Sequence, residues 1–148
     1  MGAFEGNMTD AKESEIVYTR QERIARLARQ RPELRIVTLN KNLDDIWMKE
    51  AHKRTRKDGA VGIDQETAQE YALELDDRLR GLREKAMSGT YKAPPVRRTY
   101  IPKGDGKQRP LGIPTYEDKI LQRAVVMALE PVYEAVTSQI NIGIFPKL

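Results

Sequence analysis

A helix-rich α+β fold is what this sequence predicts. Two observations carry that reading: four stretches with apolar residues at helical spacing, and one pair of short strand-like runs that meet at Gly104, Asp105 and Gly106. Residues 1–15 are polar, contain Gly2, Gly6 and Asn7, and show no sustained periodicity, so they are expected to form a disordered tail. Periodicity begins at Ile16 and continues through Ile24, Leu27 and Ala28 to Arg31, where Pro32 discourages a further turn. Arg20, Arg23, Arg26 and Arg29 recur along this stretch. They suit either a solvated face balanced by Glu15 and Glu22 or a face that meets phosphates.

The second helix is expected from about Leu43 to Arg54, capped by Asn42 or Asn40, with Leu43, Ile46, Trp47 and Ala51 as its apolar stripe and Trp47 in the core. "KDGAVGIDQET", residues 57–67, reads as a turn-rich loop in which Gly59 and Gly62 permit unusual backbone angles. Asp64 would then cap a long helix over residues 65–87, with Tyr71, Leu75, Leu79 and Leu82 near one face. "SGTYKAPP" ends that helix, the hairpin follows, and a last helix runs from about Tyr116 to Tyr133. The division that results is a tail (1–15), a helical extension with its loop (16–64), a helix–hairpin–helix unit (65–134) and an atypical C-terminal tail (135–148).

Composition narrows the function classes. The 148 residues include 26 Lys plus Arg against 22 Asp plus Glu, a net charge of +4, so the excess is modest overall. It is concentrated: residues 92–123 hold eight cations against three carboxylates, which points to an anionic partner. With no cysteine there is neither a disulfide nor a thiolate metal site, and the sole histidine, His52, reads as a surface or phosphate-adjacent group rather than a ligand. No apolar run reaches the ~20 residues that span a bilayer, and the N-terminus lacks the pattern of a signal peptide. A cytoplasmic protein without a membrane partner is expected.

Paired carboxylates occur in "NLDDIW" (Asp44, Asp45) and "ELDDRL" (Asp76, Asp77), both within helical patterns. Adjacent helical residues point about 100° apart, so neither pair converges on one ion. No Ser/His/Asp set, cysteine nucleophile or phosphate-binding loop is present, and no catalytic or metal residue is assigned. The hairpin, "PVRRTYIPKGDGKQRPLGIPT", is the one strong chemical signal. Alternation puts Arg97, Thr99, Ile101 and Lys103 on one face and Arg98, Tyr100 and Pro102 on the other, and neither face is cleanly apolar.

This segment resembles the fingers hairpin of group II intron-encoded reverse transcriptases, where "PVRRVYIPKPDGKLRPLGIPT" is characteristic. "WMKEAHKRTRKDGAVGID", "SGTYKAPP" and "EDKILQRAVVMALEPVYE" are similar to flanking parts of the same family, in the same order, over about residues 24–134. The resemblance implies that Lys103 and Arg109 reach the triphosphate of an incoming nucleotide. Lys and Arg there would offset the charge that builds during phosphoryl transfer. It further implies RNA contacts at Arg97 and Arg98, at Gly112, Ile113 and Pro114, and at the loop glycines Gly59 and Gly62. The partners implied are an RNA template or intron RNA, a DNA primer and deoxynucleoside triphosphates, with a maturase role in splicing.

Two departures stand out. Val61 and Gln65 occupy positions where the family's "GAPGIDG" loop has Pro and Gly. After Tyr133 the chain reads "AVTSQINIGIFPKL" in place of a "SYGFRPGRS"-like segment. The palm, whose aspartates hold Mg²⁺ in the complete enzyme, is expected to be absent, leaving a fingers fragment inactive as a polymerase with no cofactor of its own. A companion chain could supply the palm; a stand-alone basic RNA-binding module and a non-functional remnant of a disrupted gene are the alternatives.

Overall fold

The computed structural model describes residues 2–31 and 39–140. In chain order the elements are α1 (Gly2–Gln30), α2 (Leu39–Asn42), α3 (Asp45–Arg54), α4 (Ala68–Tyr71), a 3₁₀ turn (Ala72–Glu74), α5 (Leu75–Ser88), β1 (Arg97–Pro102), β2 (Gln108–Ile113) and α6 (Tyr116–Ile140). Among the described residues helices form the body, and a single antiparallel hairpin projects from it. The α+β expectation holds.

α6 is the axis around which the body is packed. Ile120, Ala124, Met127 and Ala128 face inward, where Val17 and Ile24 of α1, Trp47 and Met48 of α3, and Leu79 and Leu82 of α5 close around them. Trp47 is fully buried, as its place in the stripe implies, and its indole N–H donates to the Ala124 carbonyl at 2.9 Å. A buried indole needs such a partner. Pro131 lies inside α6 and has no N–H to offer the carbonyl one turn earlier, that of Met127. Gln21 of α1 fills the gap, its Nε2 donating to the Met127 carbonyl at 2.9 Å.

Several boundaries differ from the sequence reading, each for a local reason. The segment expected as a tail over residues 1–15 is helical from Gly2, and its second half is tied to α3: the Ser14 hydroxyl donates to Glu50 at 2.7 Å, and Glu13 pairs with Lys49 at 3.6 Å. Those are long-range contacts, invisible to periodicity. The cap of α3 is Asp44 rather than Asn40 or Asn42, its carboxylate accepting from the Trp47 N–H at 2.9 Å. The helix expected over residues 65–87 is split, because Glu74 takes φ −129° and ψ 46° between the 3₁₀ turn and α5. Thr67, not Asp64, caps α4, with its hydroxyl accepting from the Glu70 N–H at 3.1 Å. α6 continues past Tyr133 to Ile140. The rest of the tail expected over 135–148 lies outside the described residues.

Gln21→Ala is expected to destabilise the protein by about 1–3 kcal/mol in urea unfolding, since it strands a part-buried carbonyl. In a Pro131→Ala background, where the helix supplies its own donor, the same substitution is expected to cost clearly less. Equal costs in both backgrounds would break the link between Gln21 and Pro131.

Candidate nucleic-acid interface

The hairpin pairs Arg97 with Ile113, Thr99 with Leu111 and Ile101 with Arg109, and Arg98 with Gly112, Tyr100 with Pro110 and Pro102 with Gln108. Directly paired residues share a face. Arg97, Thr99, Ile101, Leu111, Arg109 and Ile113 therefore line one side, and the tip residues Lys103 and Lys107 close the same ladder through a hydrogen bond from the Lys103 N–H to the Lys107 carbonyl. Lys103 and Arg109 are thus brought to the same side of the hairpin, both exposed. The tip is a three-residue loop in which Asp105 accepts from the Lys107 N–H at 3.1 Å and Gly106 takes φ +81°. That left-handed residue favours glycine, and it makes a tight, preformed turn.

The root is fastened to the body at several points. Ile113 is buried, and Thr115 starts α6 with its hydroxyl accepting from the Asp118 N–H at 3.2 Å. On the entry side, the Tyr91 hydroxyl donates to the Asp118 carboxylate at 2.9 Å, so the two flanks of the hairpin converge on one residue, one at its side chain and the other at its backbone N–H. Burial and Asp118 together raise the Tyr91 pKa and keep it a donor. Beneath lies a cluster in which the Tyr71 hydroxyl donates to Glu117 at 3.0 Å, Arg78 stacks 4.0 Å over the Tyr71 ring, and Arg78 bonds Glu66 at 2.6 Å. His52 is half-buried with Nδ1 3.0 Å from the Tyr116 hydroxyl. Desolvation, with the Lys57 charge second, lowers its pKa to about 4, so it stays neutral near pH 7 and the surface role expected for it does not hold.

The loop over residues 59–64 packs against this root. A Cβ at Gly62 would stand 2.6 Å from the Thr115 Cα and 2.9 Å from the Pro114 carbonyl, so only glycine allows so close a backbone approach. Two cations grip neighbouring loop carbonyls: Arg97 Nε donates to Val61 at 3.0 Å, and Lys119 Nζ donates to Ala60 at 2.6 Å. Lys57 likewise caps the end of α3, donating to the carbonyls of His52 and Thr55. A Cβ at Gly112 would meet the Val96 side chain at 2.9 Å, so this glycine admits a neighbouring side chain over the strand.

The expected RNA contacts thus fall into two groups. Arg98 and Gly112 are exposed, and Gly59 and Pro114 are partly so. Gly62 and Ile113 are buried, and Arg97 is half-buried with its Nε engaged. Sequence reasoning missed Lys119 and Tyr91, whose signal was only a polar residue flanking the hairpin; nothing in their own spacing marks a tie to the loop or to Asp118.

The described carboxylates do not fit a metal pair. Asp44 is occupied as a helix cap and pairs with Arg20 at 2.7 Å, Asp45 lies 3.8 Å from Arg83, and Asp76 and Asp77 are exposed on α5. Among the described residues no group of three His, Asp or Glu side chains could hold a metal ion. Nor, among those residues, is any helix long and apolar enough to cross a membrane. A groove of about 640 Å³ between α1 and the far end of α6 carries Arg26, Arg29 and Arg54 beside Glu22, Glu130 and Glu134, a mixture that favours neither sign of ligand.

No family model matches the chain. It is 36% identical over 136 residues to protein YkfC of Escherichia coli (strain K12), covering 89% of this chain and 36% of that protein. It is also 39% identical over 87 residues to the group II intron-encoded protein LtrA of Lactococcus lactis subsp. cremoris, covering 58% of this chain and 14% of LtrA. The matched stretch is related to a group II intron-encoded protein. The chain spans about a third of one relative's length and about a seventh of the other's.

Gln65 takes φ +57° at the loop position where the resembled "GAPGIDG" pattern has Gly. A left-handed angle costs a side-chain-bearing residue roughly 1–2 kcal/mol, offset in part by the extra unfolded-state freedom of glycine. Gln65→Gly is therefore expected to leave stability unchanged or raise it by up to about 1 kcal/mol in thermal unfolding; a clear loss would mean the Gln65 side chain holds the loop.

Proposed function

We propose that this chain is the fingers portion of a group II intron-type reverse transcriptase, an RNA-directed DNA polymerase with a maturase role, acting in the cytoplasm. The observation that carries the reading is the hairpin: a tight turn presents Lys103 and Arg109 on one exposed face, above a root built into the helical body. The relation to LtrA supports it. In the complete enzyme these two cations meet the triphosphate of the incoming deoxynucleotide, while Arg98 and the loop over residues 59–64 lie along the RNA template with its DNA primer. Mg²⁺ supplies Lewis-acid chemistry in that enzyme, held by carboxylates of a palm in cis or on a companion chain. The work of this chain is to bind, to orient and to neutralise phosphate charge as a mobile ligand docks.

Two measurements test the reading. Primer extension on an RNA template with Mg²⁺ or Mn²⁺ is expected to show no templated synthesis by this chain alone, because neither aspartate doublet converges on one ion and neither has a third carboxylate or histidine beside it among the described residues; extension that survives repurification would overturn it. Binding to single-stranded RNA is expected to be weak and salt-sensitive, with a slope of log affinity against log salt of about −2 to −3 for three or four phosphates neutralised. Replacing Arg98, Lys103 and Arg109 together by Ala is expected to flatten that slope by about 2. An unchanged slope would remove the hairpin from the RNA-binding surface.

A further inference from the structure

The two faces of the hairpin differ in chemistry. The face of Lys103 and Arg109 is cationic; the opposite face carries Val96, Arg98, Tyr100, Pro102 and Pro110, with a single charge. Among the described residues nothing in the body covers it. Tyr100 is 55% exposed and Val96 54%, and among the described residues neither Tyr100 nor Arg98 has a side-chain hydrogen bond, ion pair or ring contact. The ring sits directly across from Pro110, and Arg98 sits across from Gly112, which contributes no side chain. The ring is therefore flanked by a flat proline and a planar guanidinium.

Exposed aromatic area on a strand usually faces a core or a partner. Here charge points to the partner: Arg98, Lys103, Lys107 and Arg109 stand exposed on the hairpin against the one carboxylate of Asp105, and Arg98 stands within the face itself. An apolar protein surface gains nothing from that excess, whereas a nucleic-acid strand offers phosphates to the cations and flat bases to the ring.

We propose that Tyr100, with Pro110 and Arg98 beside it, is a stacking site for an unpaired nucleobase of single-stranded RNA. The inference rests on the RNA-binding reading above and adds to it a face that reads bases without regard to phosphate charge. Stacking on an aromatic ring is sequence-tolerant, because every base has a π-face. The backbone of the same strand then follows the cations around the edge of the hairpin, so the two faces serve one ligand by different physical means.

Stacking and charge neutralisation separate cleanly in a salt titration. With a short unstructured RNA containing 2-aminopurine as the probe, the intact chain is expected to quench the fluorescence on binding. Tyr100→Leu, which keeps apolar area but removes the ring, is expected to weaken binding about 5-fold to 100-fold and abolish the quench, with the salt slope unchanged. Tyr100→Phe is expected to stay within about 3-fold of the parent, since it retains the π-face. Arg98→Ala is expected to lower the slope by about 0.7. Circular dichroism and the unfolding midpoint of each variant verify that the fold persists, as the exposed position of Tyr100 implies.

Affinity and quench unchanged in Tyr100→Leu, with the slope still sensitive to Lys103 and Arg109, would overturn the stacking site and leave the RNA-binding reading intact. A slope insensitive to all the hairpin cations would instead sink that underlying reading. If sedimentation shows that Tyr100→Leu dissociates a dimer formed by the parent chain, the face is a contact between copies and the proposal is wrong.

Discussion

A two-stranded hairpin cannot bury a core of its own, so everything about its direction depends on how its root is held. In this protein the root is held by convergence on the first turn of α6. Tyr91 arrives from one flank and Thr115 from the other, and both bond Asp118. Ile113 is buried at the junction, and the backbone of residue 62 lies against that of residue 115 at a distance only glycine permits. Remove that convergence and the strands still pair, but they no longer point anywhere in particular. The helical body, including the cluster of Tyr71, Arg78, Glu66 and Glu117, is the platform from which the hairpin takes its orientation.

The same root divides the cations into two populations. Arg97, Lys119 and Lys57 donate to backbone carbonyls, and desolvation lowers the pKa values of both Lys57 and Lys119. Their charge shapes the loop and the end of α3. Arg98, Lys103, Lys107 and Arg109 stand in solvent without such duties. A charge count along residues 92–123 treats both populations alike and so overstates what is left for a ligand. The chemistry available to a phosphate is set by the second group, and its position by the first.

The hairpin was the most legible part of the sequence, because Gly104, Asp105 and Gly106 fix the turn, and the turn fixes the register that puts Lys103 and Arg109 together. The core positions of α3 and α6 were legible for a similar reason: their periodicity is strong, and Trp47 had nowhere else to go. What failed depended on partners distant in the chain. α1 reaches back to Gly2 while Ser14 meets Glu50, and Thr67 displaces Asp64 as a cap after Gln65 turns the chain with a positive φ. His52 looked like a surface group beside a basic run, yet the Tyr116 hydroxyl draws it inward. A local pattern carries no trace of such encounters.

Gln21 and Met127 lie 106 positions apart, and Trp47 and Ala124 lie 77 apart, so the contacts that complete the core join segments distant in sequence. During synthesis at ~5–20 residues per second, α1 would wait roughly 5–20 s for α6 to emerge. Over that interval the apolar side of α1, with Val17 and Ile24, has only part of its final surroundings, those supplied by α3. The helix that ends up as a strut of the finished body spends its first seconds sticky and only partly covered, until α6 emerges to complete its packing.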